Sequence, residues 1–142
     1  MKSEIFTCTL RVYYEDTDAG GVVYHASYLK FFERGRTEWL RALGVDQAAL
    51  LRDSGIAFVV RDASLEFLKP ARLDDLLTVG LEIEKLTRSQ IFFRQYVWRG
   101  EAREELVGGT VQIVCVRLDT STGKMKVISL PAPLRARLEA IR

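Results

Sequence analysis

Between residues 56 and 128 the sequence alternates apolar with polar residues, in segments that short turns separate. The segment 77–83 shows the pattern most clearly, because its four aliphatic residues alternate with Thr78, Gly80 and Glu82. A period of two residues is typical of a strand with one buried face. The same reasoning predicts the remaining strands over residues 5–14, 56–68, 90–98, 106–118 and 124–128. Turns this short join antiparallel strands, so the sequence predicts an antiparallel sheet of five or six strands.

One long amphipathic helix precedes most of this sheet. Over residues 25–43, the bulky apolar residues recur at steps of three and four and share one face, with Gly35 among them: Tyr28, Phe31, Phe32, Trp39 and Leu43. Gly44 predicts the end of that helix, and a short second helix is expected from Asp46 to residue 54, followed by Gly55. An aromatic stripe has to pack on an apolar surface, and Gly35 would let another backbone approach. We therefore expect an α+β fold in which the long helix packs on the buried face of the sheet.

The chain of 142 residues has the length of one domain, and no linker or repeat divides it. Its 21 basic and 19 acidic residues leave a net charge of +2, which gives no reason to expect a nucleic-acid partner. The longest uncharged stretches are too short for a transmembrane helix. Cys8 and Cys115 lack a CxxC spacing. We therefore expect a single domain over residues 1–142 in a reduced, cytoplasmic protein that does not span a membrane.

The predicted strand over residues 90–98 differs from the others because it is apolar on both faces. One face carries Ile91 and Phe93, and the other carries Phe92, Tyr96 and Trp98. A strand with no polar face predicts contact with a second subunit. We therefore expect a homo-oligomer.

The stretch from Tyr13 to Tyr28, which joins the first strand to the long helix, holds the chemically informative residues. It contains three acids in four residues, two glycines and the single histidine of the chain. An EF-hand does not fit, because positions five and twelve of that loop would be Gly20 and Ser27. One histidine and two distant cysteines make no usual zinc set, and the glycines match neither phosphate-binding spacing. A GxSxG serine-hydrolase motif does not occur, and no metal ion is expected.

A loop acid and a helix start remain as candidates for catalysis. The first main-chain N–H groups of a helix have no partner within it, so those over residues 24–27 would bind an oxyanion. Gly20 and Gly21 would let a substrate carbonyl approach, and Asp18 would attack its carbon or activate a water. From the residues alone, two other roles stay open: Asp18 as a helix cap or turn residue, and His25 as a hydrogen-bonded residue at the helix start.

The segment YYEDTDAGGVVYHASYLKFFERGRTEWL, residues 13–40, resembles the hotdog-fold acyl-CoA thioesterases of the 4-hydroxybenzoyl-CoA thioesterase type, most closely those associated with Tol-Pal. The similarity continues through FVVRDASLEFLKPARLDDLL and LVGGTVQIVCV. It implies a hotdog fold, in which an antiparallel sheet wraps one long helix. It also implies dimers or dimers of dimers, with active sites between subunits. The family's loop motif places the catalytic carboxylate at Asp18, whereas another hotdog branch places it on the helix, where Glu33 and Glu38 lie here.

The resemblance also implies roles for residues around the substrate. The amide that polarises the thioester carbonyl corresponds to His25 or its neighbour Tyr24. The His25 side chain is implicated as well in the Tol-Pal-associated members. Coenzyme A is part of the substrate in this family, so no separate cofactor is expected.

The phosphates of coenzyme A would need cations near the site. Arg88 and Ser89 resemble a turn that family members place near the coenzyme nucleotide. Lys69 and Arg72 flank another exposed turn and are further candidates. Each of these cations is also typical of an ordinary solvated surface.

Together these features predict an acyl-CoA thioesterase that releases a free acid and CoA. The alternative enzymes are an acyl-ACP thioesterase and a hotdog dehydratase, although the HFPG-like turn of one dehydratase group is not seen. The alternative outside enzymes is a non-catalytic acyl-binding or partner-binding scaffold of envelope or phospholipid metabolism. Acyl carrier protein and phospholipid-synthesis enzymes are the candidate protein partners.

Overall fold

The structure is a computed structural model and describes residues 5–141. Its helices are α1 (Ser27–Ala42), α2 (Gln47–Ser54) and α3 (Ala132–Ile141), and a 3-10 turn covers Tyr14–Asp16. Its strands are β1 (Phe6–Arg11), β2 (Ile56–Phe67), β3 (Leu76–Leu86), β4 (Gln90–Arg99), β5 (Glu104–Asp119) and β6 (Lys124–Val127).

All six strands form one antiparallel sheet in the order β1-β3-β4-β5-β2, and β6 pairs with the last residues of β5. The predicted α+β class and the sheet of five or six strands are confirmed. Within the described part of the chain, β2 pairs with β5 alone, so β2 forms one edge of the sheet. Since α1 packs on the buried face, the chain has the hotdog arrangement that the resemblance implies.

The aromatic stripe of α1 holds the helix on the sheet. Phe31 and Phe32 are fully buried, and the ring of Trp39 meets that of Phe93 edge to face at 5.1 Å. Gly35 faces the sheet so closely that a Cβ atom there would lie 2.8 Å from Cγ1 of Val79. The close neighbour of Gly35 is therefore a side chain of β3 and not the second backbone that we expected.

The predicted second helix is confirmed, whereas the C-terminal helix has no counterpart among the predictions. The carboxylate of Asp46 accepts the N–H of Ala49 at 3.0 Å, and Gly55 ends α2 in the left-handed conformation with φ 68°. In α3 only Leu134 and Leu138 are buried. Two apolar positions one turn apart make too weak a periodic signal to distinguish a helix from a loop.

β4 lies in the middle of the sheet, between β3 and β5. This placement changes the inference that its two apolar faces require a second subunit. One face is the core beneath α1. On the other face, the Tyr96 and Trp98 rings stack at 4.9 Å, and the guanidinium of Arg103 lies 4.7 Å from the centre of the Trp98 ring. The subunit itself therefore covers much of the apolar pattern, and the expected oligomer needs other support.

The helices described over residues 5–141 include none with the length and apolar character needed to cross a membrane.

Candidate active site

Asp18 begins a tight turn that leads from the 3-10 turn towards α1. The N–H of Asp18 donates to the carbonyl of Val22 at 2.9 Å, and the N–H of Gly21 donates to the carbonyl of Asp18 at 3.0 Å. Gly21 has φ +80°, a left-handed conformation that side chains disfavour. The Asp18 carboxylate accepts the N–H of Gly20 at 2.8 Å through Oδ1. None of the described residues bonds to its Oδ2 atom, so that oxygen is available to a substrate or a water.

His25 precedes α1 and carries a main-chain N–H with no acceptor among residues 5–141. The N–H of Tyr24, in contrast, donates to the carbonyl of Asp16 at 2.8 Å. This bond engages the Tyr24 amide and leaves the His25 amide free, so His25 is the more available of the two amides considered for the oxyanion. The helix starts at Ser27, slightly later than expected, because the N–H of Ser27 closes a turn onto the carbonyl of Tyr24 at 2.8 Å.

Residues 68–75, which we call the wall turn, lie against the Asp18 turn. The carbonyl of Ala71 accepts the N–H of Val23 at 2.9 Å, and Val22 forms an isolated bridge with Arg72. From α1, the buried Tyr28 hydroxyl accepts the N–H of Ala71 at 3.2 Å. Burial raises the pKa of Tyr28 above its ordinary value, so the phenol is neutral at physiological pH. The wall turn thus joins the Asp18 turn and α1 into one unit.

Arg99, at the end of β4, holds the wall turn in place. Its guanidinium donates to the carbonyl of Pro70 at 3.2 Å and to the carboxylate of Asp75 at 3.0 Å. It also forms an ion pair with Glu104 at 3.0 Å, and Glu104 in turn pairs with Lys69 at 3.0 Å. The hydrogen bonds from Lys69 and Arg99 lower the pKa of Glu104. These contacts fix one wall of the site from the sheet.

A cavity of about 330 Å³ brings the candidate residues together between the Asp18 turn, the start of α1 and the wall turn. Its lining residues are Asp18, Val22, Val23, His25, Tyr28, Phe67, Leu68, Lys69 and Pro70. The His25 imidazole lies 4.5 Å from the Tyr24 ring and 6.3 Å from the Phe67 ring, between centroids. A carboxylate, a free amide and an imidazole therefore border one small cavity with apolar walls.

Asp16 has a different environment from Asp18, although it is only two residues away. Its side chain is 5% exposed, and its carboxylate accepts the main-chain N–H of Tyr13 at 2.8 Å. This geometry belongs to the 3-10 turn and leaves Asp16 outside the cavity lining. Asp16 is therefore a structural acid of the 3-10 turn, whereas the Asp18 carboxylate is available to a substrate or a water.

The candidate phosphate-binding residues fall into two groups. Lys69 lines the cavity, and Arg72 is exposed on the same wall turn. Arg88 and Ser89 lie in the turn after β3. The 11 residues of β3 lead away from the wall turn over about 35 Å of extended strand. There the Arg88 guanidinium donates to the Ser129 hydroxyl at 2.8 Å. One chain therefore does not bring Arg88 and Ser89 to the cavity, because the whole length of β3 lies between them.

The structure adds Tyr28, Phe67 and Arg99 to the site. Tyr28 stood out in the sequence only as part of the apolar stripe, yet a buried hydroxyl needs a hydrogen-bond partner and so signals a further role. Phe67 and Arg99 lie at strand ends, and only the three-dimensional pairing shows what they face. Within residues 5–141, no three His, Cys, Asp or Glu side chains form a group suited to a metal ion.

Comparison with known proteins gives a consistent picture. The model of a family described as the thioesterase superfamily matches residues 20–106. The acyl-CoA thioesterase YbgC of Haemophilus influenzae is 46% identical over 92% of this chain and 92% of its own.

Two solved structures support the same relationship. A probable thioesterase from Bartonella henselae superposes with a TM-score of 0.73 at 39% identity, over 89% of this chain and 98% of that one. A 1,4-dihydroxy-2-naphthoyl-CoA thioesterase from Synechocystis superposes with a TM-score of 0.84 at 25% identity, over 95% and 96% of the two chains.

Proposed function

The chain belongs to the thioesterase superfamily and is an acyl-CoA thioesterase, and we propose that Asp18 and the His25 amide form its catalytic centre. One observation carries this proposal: Asp18, whose Oδ2 has no partner among the described residues, and His25, whose N–H has no acceptor among them, line the same cavity. Asp16 and Tyr24 offer no such pair, because their carboxylate and amide are already bonded within the fold.

The geometry supports a simple course for the hydrolysis. The thioester carbonyl oxygen accepts the His25 N–H, which stabilises the negative charge that develops on this oxygen. Asp18 then either attacks the carbonyl carbon or takes a proton from a water that attacks it. In both cases the C–S bond breaks, and the thiolate of CoA leaves and gains a proton. Water supplies the oxygen of the free acid, directly or by hydrolysing the acyl-Asp18 anhydride. The His25 imidazole, from a residue that lines the cavity, orients the water or assists the leaving thiolate.

The proposal includes a homo-oligomer, either a dimer or a dimer of dimers. Its support is the open edge of β2, where Val60 and Phe67 are each 53% exposed. A second chain along this edge would cover both side chains and extend the sheet. It also offers Arg88 and Ser89 a route to a substrate at another chain's cavity, beside Lys69 and Arg72. A stable monomer in sedimentation at micromolar concentration would contradict this part of the proposal.

We further place the protein in the cytoplasm, without a metal or separate cofactor. Cys8 and Cys115 are both free thiols, which suits a reducing compartment. Acyl carrier protein and enzymes of phospholipid synthesis remain the candidate protein partners.

Thiol release from a panel of acyl-CoAs tests the catalytic proposal. In Asp18→Asn the shape stays and the charge is lost, so kcat should fall by about 10³, with substrate affinity and folding retained. Asp18→Ala guards against deamidation of the new asparagine. Glu15→Gln is the matched control, because Glu15 is an exposed carboxylate of the same segment that does not line the cavity. An Asp18→Ala protein that keeps more than a tenth of wild-type kcat contradicts the assignment, and tight binding of acyl-CoA without thiol release indicates a scaffold.

A further inference from the structure

Arg99, at the end of β4, uses all three nitrogens of its guanidinium within the subunit. Nε and Nη2 donate to one carboxylate oxygen of Glu104 at 3.2 and 3.0 Å. Nη1 donates to the carbonyl of Pro70 at 3.2 Å and to the carboxylate of Asp75 at 3.0 Å. The planar guanidinium holds these donors in a fixed arrangement, which a lysine ammonium does not reproduce. Arg99 therefore ties the wall turn to the sheet at two points, Pro70 and Asp75.

Ala71, in the middle of the wall turn, is fully buried and makes two main-chain hydrogen bonds across the site. Its N–H donates to the Tyr28 hydroxyl of α1 at 3.2 Å. Its carbonyl accepts the N–H of Val23, just beyond the Asp18 turn, at 2.9 Å. One residue of the wall turn thus contacts both the helix that follows His25 and the segment that carries Asp18.

Asp75 provides a second connection from Arg99 to the same segment. The Oδ2 atom that binds Arg99 also accepts the N–H of Arg72 at 2.9 Å. Arg72 forms the isolated bridge with Val22, and the carbonyl of Val22 accepts the N–H of Asp18 at 2.9 Å. A continuous series of contacts therefore leads from Arg99 to Asp18.

The Asp18 turn depends on these contacts for its position. Asp18, Gly20 and Gly21 are exposed, and within residues 5–141 their hydrogen bonds all stay inside residues 18–22. Such a turn takes its position from the segments at its two ends, which are the 3-10 turn and residues 22–23. Because the wall turn binds residues 22–23, its position sets that of the Asp18 carboxylate.

Resting on the proposed function, we infer that Arg99 is a positioning residue for the hydrolysis. It holds the wall turn so that the Asp18 carboxylate and the His25 N–H keep the spacing that the reaction requires. Arg99 is outside the cavity lining and does not touch the substrate. Its contribution is the geometry of its hydrogen bonds, and a positive charge alone does not replace it.

A second route leads from Arg99 to the cavity through charge. Glu104 binds Arg99 with one carboxylate oxygen and Lys69 with the other, at 3.0 Å in each case, and Lys69 lines the cavity. By this route a loss of Arg99 would change the binding of the CoA phosphates and spare the chemical step. A truncated thioester without the nucleotide separates the two routes, because it offers Lys69 no phosphate.

Arg99→Met removes the hydrogen bonds and keeps the side chain long. A shift of 1 Å in a reacting group can cost about 10² in rate, so a shift of about 0.5 Å should lower kcat about tenfold. The KM of the truncated thioester should stay within about threefold, because the residues that line the cavity are unchanged. We expect the same loss in kcat on the acyl-CoA with the same acyl group. A loss confined to the acyl-CoA indicates the charge route and overturns the inference.

Arg135→Met is the matched control. Like Arg99, Arg135 binds a carboxylate and a main-chain carbonyl, those of Glu139 at 3.2 Å and Thr87 at 2.8 Å. Its side chain is 34% exposed, against 32% for Arg99, and it lies in α3, outside both the wall turn and the cavity lining. The kcat of this variant on the truncated thioester should stay within about twofold of wild type. A loss equal to that of Arg99→Met overturns the inference.

Arg99→Lys keeps the charge and retains the test if Arg99→Met does not fold. One ammonium group cannot bind Pro70, Asp75 and Glu104 in the planar arrangement of the guanidinium. We therefore expect kcat to fall at least about threefold while Tm stays close to that of wild type. Full kcat in Arg99→Lys overturns the inference, because a point charge is then sufficient.

A double-mutant cycle with Asp18→Asn decides whether Arg99 acts through the carboxylate. In the Asp18→Asn background no reacting carboxylate remains to be positioned, so Arg99→Met should lower kcat less than about twofold. A merely structural role predicts the same tenfold loss in both backgrounds, and that result overturns the inference. If Asp18→Asn alone keeps wild-type kcat, the proposed catalytic centre fails and the inference fails with it. If Asp18→Asn loses about 10³ while Arg99→Met keeps full kcat, the inference alone is wrong.

Discussion

Gly20 and Gly21 are neighbours in the Asp18 turn, yet the structure predicts opposite effects when each is replaced by alanine. Gly21 has φ +80°, and a Cβ atom there would meet nothing within 4 Å. Gly20 is outside the left-handed region, but its Cβ atom would lie 3.2 Å from Oδ1 of Asp18. We expect Gly21→Ala to weaken the fold and Gly20→Ala to weaken catalysis.

The cost of Gly21→Ala is conformational. A left-handed residue with a side chain costs roughly 1 to 2 kcal/mol. Restricting the unfolded chain offsets roughly 0.4 to 1 kcal/mol of that cost. The net loss is about 1 kcal/mol of unfolding free energy, or about 2 to 4 °C in Tm for a chain of this size. Because the new methyl group touches nothing, kcat should stay within about a factor of two.

The cost of Gly20→Ala is positional. The methyl group forces the Asp18 carboxylate to move by a few tenths of an ångström, and a shift of 1 Å in a reacting group can cost about 10² in rate. A shift of about 0.3 Å then lowers kcat about fourfold. The unfolding free energy should stay level or rise by up to about 1 kcal/mol, since alanine has fewer unfolded conformations than glycine.

Thermal unfolding and thiol-release kinetics on both variants separate the two effects. The expected result is a lower Tm with near-normal kcat for Gly21→Ala, and a normal Tm with reduced kcat for Gly20→Ala. The reverse pattern would refute the reasoning, as would full kcat in Gly20→Ala, because either result means that the Asp18 carboxylate does not need its present position.

The same two assays address four other residues. Asp16→Asn should lower the unfolding free energy by about 1 to 2 kcal/mol, since its carboxylate binds one N–H of its own turn, and should spare kcat; a greater loss than in Asp18→Asn contradicts our assignment. His25→Ala keeps the main-chain N–H and should lower kcat more than it raises KM; unchanged kcat leaves the amide as its sole contribution. Tyr28→Phe leaves a buried N–H of the wall turn without its acceptor and should lower the unfolding free energy by about 1 to 3 kcal/mol; an unchanged Tm argues against that bond. Arg88→Ala should slow hydrolysis of acyl-CoA while sparing a truncated thioester without the nucleotide; equal losses on both exclude contact with the phosphates.

Local periodicity was sufficient to predict most of the elements. The alternation over residues 77–83 is set by one buried face, and β3 indeed buries Leu77, Val79 and Leu81 completely. The stripe of α1 follows from the same physics at a helical period. The order of strands is different, because it depends on pairings between distant residues. For that reason β4 could be identified as an apolar strand without revealing that its neighbours already cover it.

The site likewise has features that follow from local sequence and features that depend on contacts between distant residues. Asp18, the glycines and His25 are close in sequence, so their proximity in space follows from a short turn. The engagement of the Tyr24 amide is a bond to a residue eight positions away, and no local pattern predicts it. The position of Arg88 is harder still to predict from sequence, because its distance from the cavity depends on the length and direction of β3.

The oligomer proposed on the open edge of β2 would make the activity of this protein depend on its concentration. Phe67 belongs both to that edge and to the cavity wall, so pairing of two edges changes the surroundings of the reaction centre. With the oligomer proposed above, specific activity falls when the enzyme is diluted below the dissociation constant of its subunits, and it recovers with time after reconcentration. In that oligomer, a substrate that binds the associated state more tightly than the separate subunits would shift the equilibrium towards association. Progress curves from very dilute enzyme should therefore show a lag that shortens as the protein concentration rises.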